Sequence, residues 1–128
     1  QHNIKLSIRI EPKSIQVHVD AGLIEQVLIN LVKNASEALA EVDHAVIDIT
    51  ALKKGHQCEI RITDNGAGIR PENMVNVFVP FFTTKRKGSG VGLSLSKKII
   101  QLHGGDIEAT SSGKGTSFMI LFPTLSQS

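Results

Sequence analysis

Tryptophan and tyrosine are absent from this chain, and only five phenylalanines stand among its 128 residues. Single-stranded nucleic acid is bound on aromatic stacking platforms beside clustered cations. Neither feature is present: 14 Lys and Arg are scattered among 12 Asp and Glu, for a net charge of +2, and no nucleic-acid partner is expected. Cysteine occurs once. Cys58 cannot pair within the chain and sits in an alternating apolar run, so it reads as a reduced thiol packed as a small hydrophobe in a reducing, cytoplasmic setting. No stretch approaches the ~18 to 20 apolar residues of a bilayer-spanning helix. Gln1 to Ile10 lacks the basic-then-apolar layout of a signal peptide, so no direct membrane contact is expected, while a membrane-anchored parent protein stays open. The histidines His2, His18, His44, His56 and His103 form no HxxxH, HExxH or Cys-paired set, which argues against a zinc-type site.

What is present suffices for one core. Apolar residues make up 41% of the chain, and a chain of this length buries about two thirds of its unfolded surface, so a single domain over residues 1–128 is expected without staples. It starts without Met and almost directly in a strand-like run, which reads as a module of a longer protein. Ile4, Leu6, Ile8 and Ile10 alternate with polar residues, as do Ile15, Val17 and Val19, and predict two short opening strands around Pro12. Asp20 is a candidate N-cap for an amphipathic helix whose Ile24, Leu28, Leu31, Ala35 and Leu39 recur at helical spacing to about Val42. Two further alternating runs, Ala45 to Ala51 and Cys58 to Ile62, predict a hairpin turned at Lys53-Lys54-Gly55-His56. A short helix begins at Pro71, and Phe78 to Gly90 has no period and reads as a long binding loop. Gly92 to His103 predicts a second helix capped by Gly104, and Asp106–Ser111 with Thr116–Phe122 predict a final hairpin. The fold class expected is α/β, in the mixed α+β sense: a two-layer sandwich of a mixed, mostly antiparallel sheet with its helices on one face.

Nine of the eleven glycines lie between Gly66 and Gly115. Gly88-Ser89-Gly90-Val91-Gly92 precedes a helix and reads either as a plain connector or as a cradle for phosphates on helix amides. It matches neither the dinucleotide fingerprint GxGxxG nor GxxxxGK[ST]. Ser94 and Lys97 match the SxxK of serine acyl enzymes, but without its companion elements the match is coincidence. Asn30 and Asn34 lie one helical turn apart, and such a pair is read as solvated, as a buried hydrogen bond, or as amide oxygens facing a hard cation such as Mg²⁺. Asp64 ends a strand at a glycine turn, where a carboxylate either caps its own turn or accepts a bond from a ligand amine.

The order of these boxes is specific where each alone is not. Asn30-Leu31-Val32-Lys33-Asn34-Ala35, Asp64-Asn65-Gly66-Ala67-Gly68-Ile69, Phe78-Val79-Pro80-Phe81-Phe82-Thr83-Thr84-Lys85, Gly88-Ser89-Gly90-Val91-Gly92-Leu93 and Gly113-Lys114-Gly115-Thr116-Ser117-Phe118 follow one another along nearly the whole chain. Together they resemble the catalytic and ATP-binding domain of bacterial sensor histidine kinases, within the gyrase, heat-shock chaperone, histidine kinase and mismatch-repair ATPase superfamily. The nitrogen-regulation subtype is the most similar in its Asn-Ala-x-Glu-Ala and Pro-Phe-Phe-Thr-Thr-Lys forms. The resemblance implies ATP and Mg²⁺ as ligands, Asn34 as the Mg²⁺ ligand, Asn30 as a second polar contact to metal or phosphates, and Asp64 as acceptor for the adenine amine. It further implies Gly66, Gly68, Ile69 and Thr116 around the base. Phe78 to Gly88 becomes the ATP lid, with Phe82, Thr83, Thr84 and the phosphate contact Lys85. Gly88, Gly90, Val91, Gly92 and Leu93 bring backbone amides to the triphosphate.

Two departures from the family pattern carry meaning. Hydrolytic members have Glu where this chain has Asn30, and an amide cannot take a proton, so the resemblance implies ATP positioned for an acceptor other than water. Many histidine kinases have Lys or Arg where this chain has Glu37. The implied partners are a helical dimerisation domain bearing the phosphoacceptor histidine, absent from these residues, and indirectly a response regulator. The domain alone is expected to be monomeric and its parent a homodimer. A stand-alone ATPase or ATP-driven clamp, a serine kinase and a nucleotide-sensing docking module are the rival readings.

Overall fold

The computed structural model describes residues 3–12, 15–80 and 92–124. In chain order its elements are β1 (Lys5–Glu11), α1 (Ala21–Ala38), β2 (Val46–Lys54), β3 (Gln57–Asp64), α2 (Pro71–Met74), α3 (Gly92–Leu102), β4 (Asp106–Ser112) and β5 (Gly115–Pro123). The five strands form one sheet in the order β1-β2-β3-β5-β4. β1 runs parallel to β2 and every other pairing is antiparallel. A mixed, mostly antiparallel sheet under helices is the architecture expected from the patterning.

The Asp20 side chain accepts the Leu23 amide at 3.0 Å and starts α1. Ile24, Val27, Leu31 and Ala35 then recur every three or four residues and are buried as one stripe. That stripe lies against β2, β3 and α3. The helix stops at Ala38, four residues before the limit that hydrophobic spacing suggested, because its last carbonyls are taken by tighter bonds: Leu39 N to Ser36 O, Ala40 N to Glu37 O and Val42 N to Leu39 O. Leu39 stays fully buried outside the helix, which is why the apolar period outruns it.

The second opening strand expected at Ile15 to Val19 does not form. Residues 15–20 are irregular, and Ile15, Val17 and Val19 pack half-buried on the edge of the core. Alternation here records which side chains touch the core, with no ladder behind it. The hairpin turn lies at Gly55-His56, between paired Lys54 and Gln57. His103 ties the helices together: its Nδ1 donates to Ile99 O at 2.7 Å and its Nε2 accepts the Asp20 amide at 3.1 Å.

Candidate functional site

The register of the sheet builds the site. Cys58, Ile60, Ile62 and Asp64 share the core face of β3, and Phe122, Ile120, Phe118 and Thr116 answer them on β5. Successive rows across β3, β5 and β4 read Ile60–Ile120–Ile107, Ile62–Phe118–Ala109 and then Asp64–Thr116–Ser111. The apolar core thus ends in a row of one carboxylate and two hydroxyls on the face that the helices cover. Asp64 and Thr116 are each only 5% exposed, and polar groups that deep demand partners.

Those partners hold the loop after β3 in place. Asp64 Oδ1 accepts the Gly66 amide at 2.9 Å. Ser111 Oγ accepts the Ile69 amide at 2.6 Å, donates to Gly115 O at 3.2 Å and lies 3.3 Å from the Thr116 hydroxyl. Gly68 has φ +86, and a Cβ there would overlap the Ser112 carbonyl oxygen. At Gly66 a Cβ would come within 2.9 Å of Ala38 O, so the loop closes onto the end of α1, one turn beyond Asn34. Both glycines are thus required for packing of the chain on itself. A 410 Å³ cavity opens over this end of the sheet, lined among others by Asp64, Ser111, Lys114, Gly115 and Thr116.

On α1, Asn30 and Asn34 are both half-buried beside the fully buried Leu31. Asn30 Oδ1 accepts from Gln26 Nε2 at 3.2 Å, and its Nδ2 donates to Ser96 Oγ at 3.4 Å. Ser96, on α3, is 0% exposed and donates in turn to Gly92 O at 2.8 Å. Gly92 and Leu93 are half-buried in the first turn of α3. The predicted site residues Phe82, Thr83, Thr84, Lys85, Gly88, Gly90 and Val91 lie outside the described residues. Phe78 packs half-buried against the core: its ring meets Phe118 edge-on at 6.2 Å and carries Lys97 Nζ 4.8 Å from its centroid. Lys97 also lies 3.9 Å from Asp106, so the lysine of the SxxK spacing serves packing.

Reading residue types missed Ser111, Gln26 and Ser96. Ser111 had a signal, since it occupies a core-facing register position on a strand, where a polar residue needs a reason. Gln26 stands one helical turn before Asn30, the spacing that pairs Asn30 with Asn34, whereas Ser96 had no signal. Among the described residues, no cluster of three His, Cys, Asp or Glu forms a metal cage, and no helix is long and apolar enough to cross a membrane.

Residues 19–126 match the family of histidine kinase-, DNA gyrase B- and HSP90-like ATPases. The chain belongs to this family. Its fold is that of an ATP-binding domain, and the Asp64–Thr116–Ser111 row and the Asn30–Asn34 wall lie within the matched span. Sensor histidine kinase ZraS of Escherichia coli (strain K12) is 38% identical over 109 residues, covering 84% of this chain and 23% of that protein. The sensory histidine kinase/phosphatase NtrB of Rhizobium meliloti is 36% identical over 134 residues, covering 94% of this chain and 35% of that protein. This chain thus spans about a quarter to a third of those relatives. Among solved structures, the catalytic domain of histidine kinase ThkA superposes with a TM-score of 0.84 at 35% identity, covering 94% of this chain and 78% of that one. The mycobacterial sensor histidine kinase MprB gives a TM-score of 0.83 at 25% identity, over 97% and 84% of the respective chains.

Proposed function

We propose that this domain binds Mg-ATP and donates the γ-phosphate to a histidine on a helical dimerisation domain of the same protein. The observation that carries this reading is the buried Asp64–Thr116–Ser111 row at the end of the core, in a chain whose relatives are named sensor histidine kinases. A carboxylate there accepts an exocyclic amine, so Asp64 selects adenine, with Thr116, Gly66, Gly68 and Ile69 shaping the base site. Asn34 supplies an amide oxygen to Mg²⁺. Such a cation takes few protein ligands and shares the phosphate oxygens, in keeping with the lack of a three-ligand cage among the described residues. When bound, the metal offsets phosphate charge.

Asn30 contacts the phosphates or a water on the metal and takes no proton, so hydrolysis is slow without an acceptor. Lys85 contacts phosphate from the lid to which Phe82, Thr83 and Thr84 belong, and Gly88, Gly90, Val91, Gly92 and Leu93 bring backbone amides to the triphosphate. Catalysis comes from positioning and charge stabilisation, and the acceptor's proton leaves to a group outside this chain. The protein works in the cytoplasm, as a homodimer through its helical domain, and a response regulator takes the phosphoryl group from that histidine. A complex of ThkA with the response regulator protein TrrA supports this last partner: that ThkA chain has 31% identity and a TM-score of 0.78, and the match covers 95% of this chain and 34% of that one.

Calorimetric titration of ATP, ADP and GTP, with and without Mg²⁺, tests the site. Adenine nucleotides bind and GTP does not. Asp64→Asn loses a charge-assisted bond of about 1.5 to 3 kcal/mol and weakens ATP by about 10- to 100-fold. A folded chain that ignores adenine nucleotides contradicts the reading.

A further inference from the structure

A primary amide can rotate through a half-turn at little cost, and only its neighbours decide which end is oxygen and which nitrogen. At Asn30 the neighbours form a chain with one allowed direction. It is anchored at the Gly92 main-chain carbonyl, which can only accept. The Ser96 hydroxyl donates to that carbonyl at 2.8 Å. Its proton is thereby committed, so toward Asn30 the Ser96 oxygen can only accept, and it faces Nδ2 at 3.4 Å. Oδ1 is then turned to Gln26 Nε2 at 3.2 Å. Reversing the Asn30 amide would set Oδ1 against the lone pairs of Ser96, whereas the exposed Gln26 amide can turn to match whichever end of Asn30 it meets.

We propose that Ser96 and Gln26 are positioning residues for phosphoryl transfer: Ser96 sets the direction of the Asn30 amide and Gln26 holds its oxygen in place. An amide has two N–H groups and two lone pairs. One of each is engaged, which leaves Asn30 one N–H and one lone pair for a phosphate oxygen and a water on the metal. The 3.4 Å contact is long, as hydrogen bonds around a reacting group often are before substrate is bound. Ser96 is fully buried in α3, whereas Gln26 is exposed on α1, so the clamp joins the two helices from opposite sides of Asn30. The inference rests on the kinase reading, in which Asn30 meets the phosphates.

The test measures transfer from ATP to a separately supplied histidine-bearing helical domain, for the native chain, Ser96→Ala, Gln26→Ala, Asn30→Ala and the pairwise combinations. Ser96→Ala and Gln26→Ala each slow transfer at saturating ATP by about five-fold, the effect of one neutral hydrogen bond, while KM for ATP stays the same. Neither substitution slows the Asn30→Ala chain further, because each acts through Asn30. Gln26 is exposed, so its variant reports on the clamp even if Ser96→Ala perturbs the α1–α3 packing. Native-rate transfer by both single variants, or a slowing that persists in full on the Asn30→Ala background, overturns the proposal. A native chain that binds ATP and transfers nothing overturns the kinase reading instead, and the clamp with it.

Discussion

Asp64 is a carboxylate in a position built for an apolar side chain. Its place on the core face of β3 follows from parity with Cys58, Ile60 and Ile62, so the alternation that identifies the strand also identifies the anomaly. Asn30 and Asn34 were legible in the same way, one turn apart at the border of an apolar stripe. The Ser96 contact was not, because a hydroxyl in the interior of a helix leaves no periodic trace and its partner lies 66 positions away. Cys58 makes a prediction at this scale. It is buried, and burial first, then the Glu59 carboxylate beside it, push its thiol above the ordinary 9.0. The folded state therefore prefers the protonated form, so this contribution to stability is whole below pH 9.0 and is lost as the pH rises beyond it. Urea unfolding from neutral to alkaline pH detects the loss in the native chain, and Cys58→Ala removes that part of the slope.

At the scale of elements, α1 is the piece on which both the core and the Asn wall depend. Leu31 is fully buried between Asn30 and Asn34. Leu31→Ala costs about 2 to 5 kcal/mol, and denaturant melts of the folded variant record it. Asp20→Ala removes the N-cap bond at 3.0 Å and costs about 1 kcal/mol. Helix and hairpin periods predicted α1, β2, β3, α3, β4 and β5 because each has one buried face. Periodicity failed at the segment Ile15 to Val19, where side chains pack on the core edge without backbone pairing. β1 tests its limit in the other direction. It alternates and pairs with β2, yet Leu6, Ile8 and Ile10 are 53%, 61% and 47% exposed, since α1 covers the inner strands and leaves the edge strand bare.

For the molecule as a whole, the order of short motifs along the chain was more informative than composition. The crossover that places β5 between β3 and β4 brings Thr116 opposite Asp64. No local pattern states this pairing, whereas a resemblance spanning the whole chain implies it. The proposed function divides the labour: adenine at the end of the sheet, metal and phosphates along α1 and the start of α3, and the acceptor on another domain. Its central claim is transfer to histidine. The most direct measurement incubates the chain with Mg²⁺, ATP labelled in its γ-phosphate and the separate histidine-bearing helical domain, then follows the label. The account predicts label on that domain in acid-labile, base-stable form, lost when the histidine is replaced, with little free phosphate. Rapid release of labelled phosphate to water with none on the histidine would contradict it.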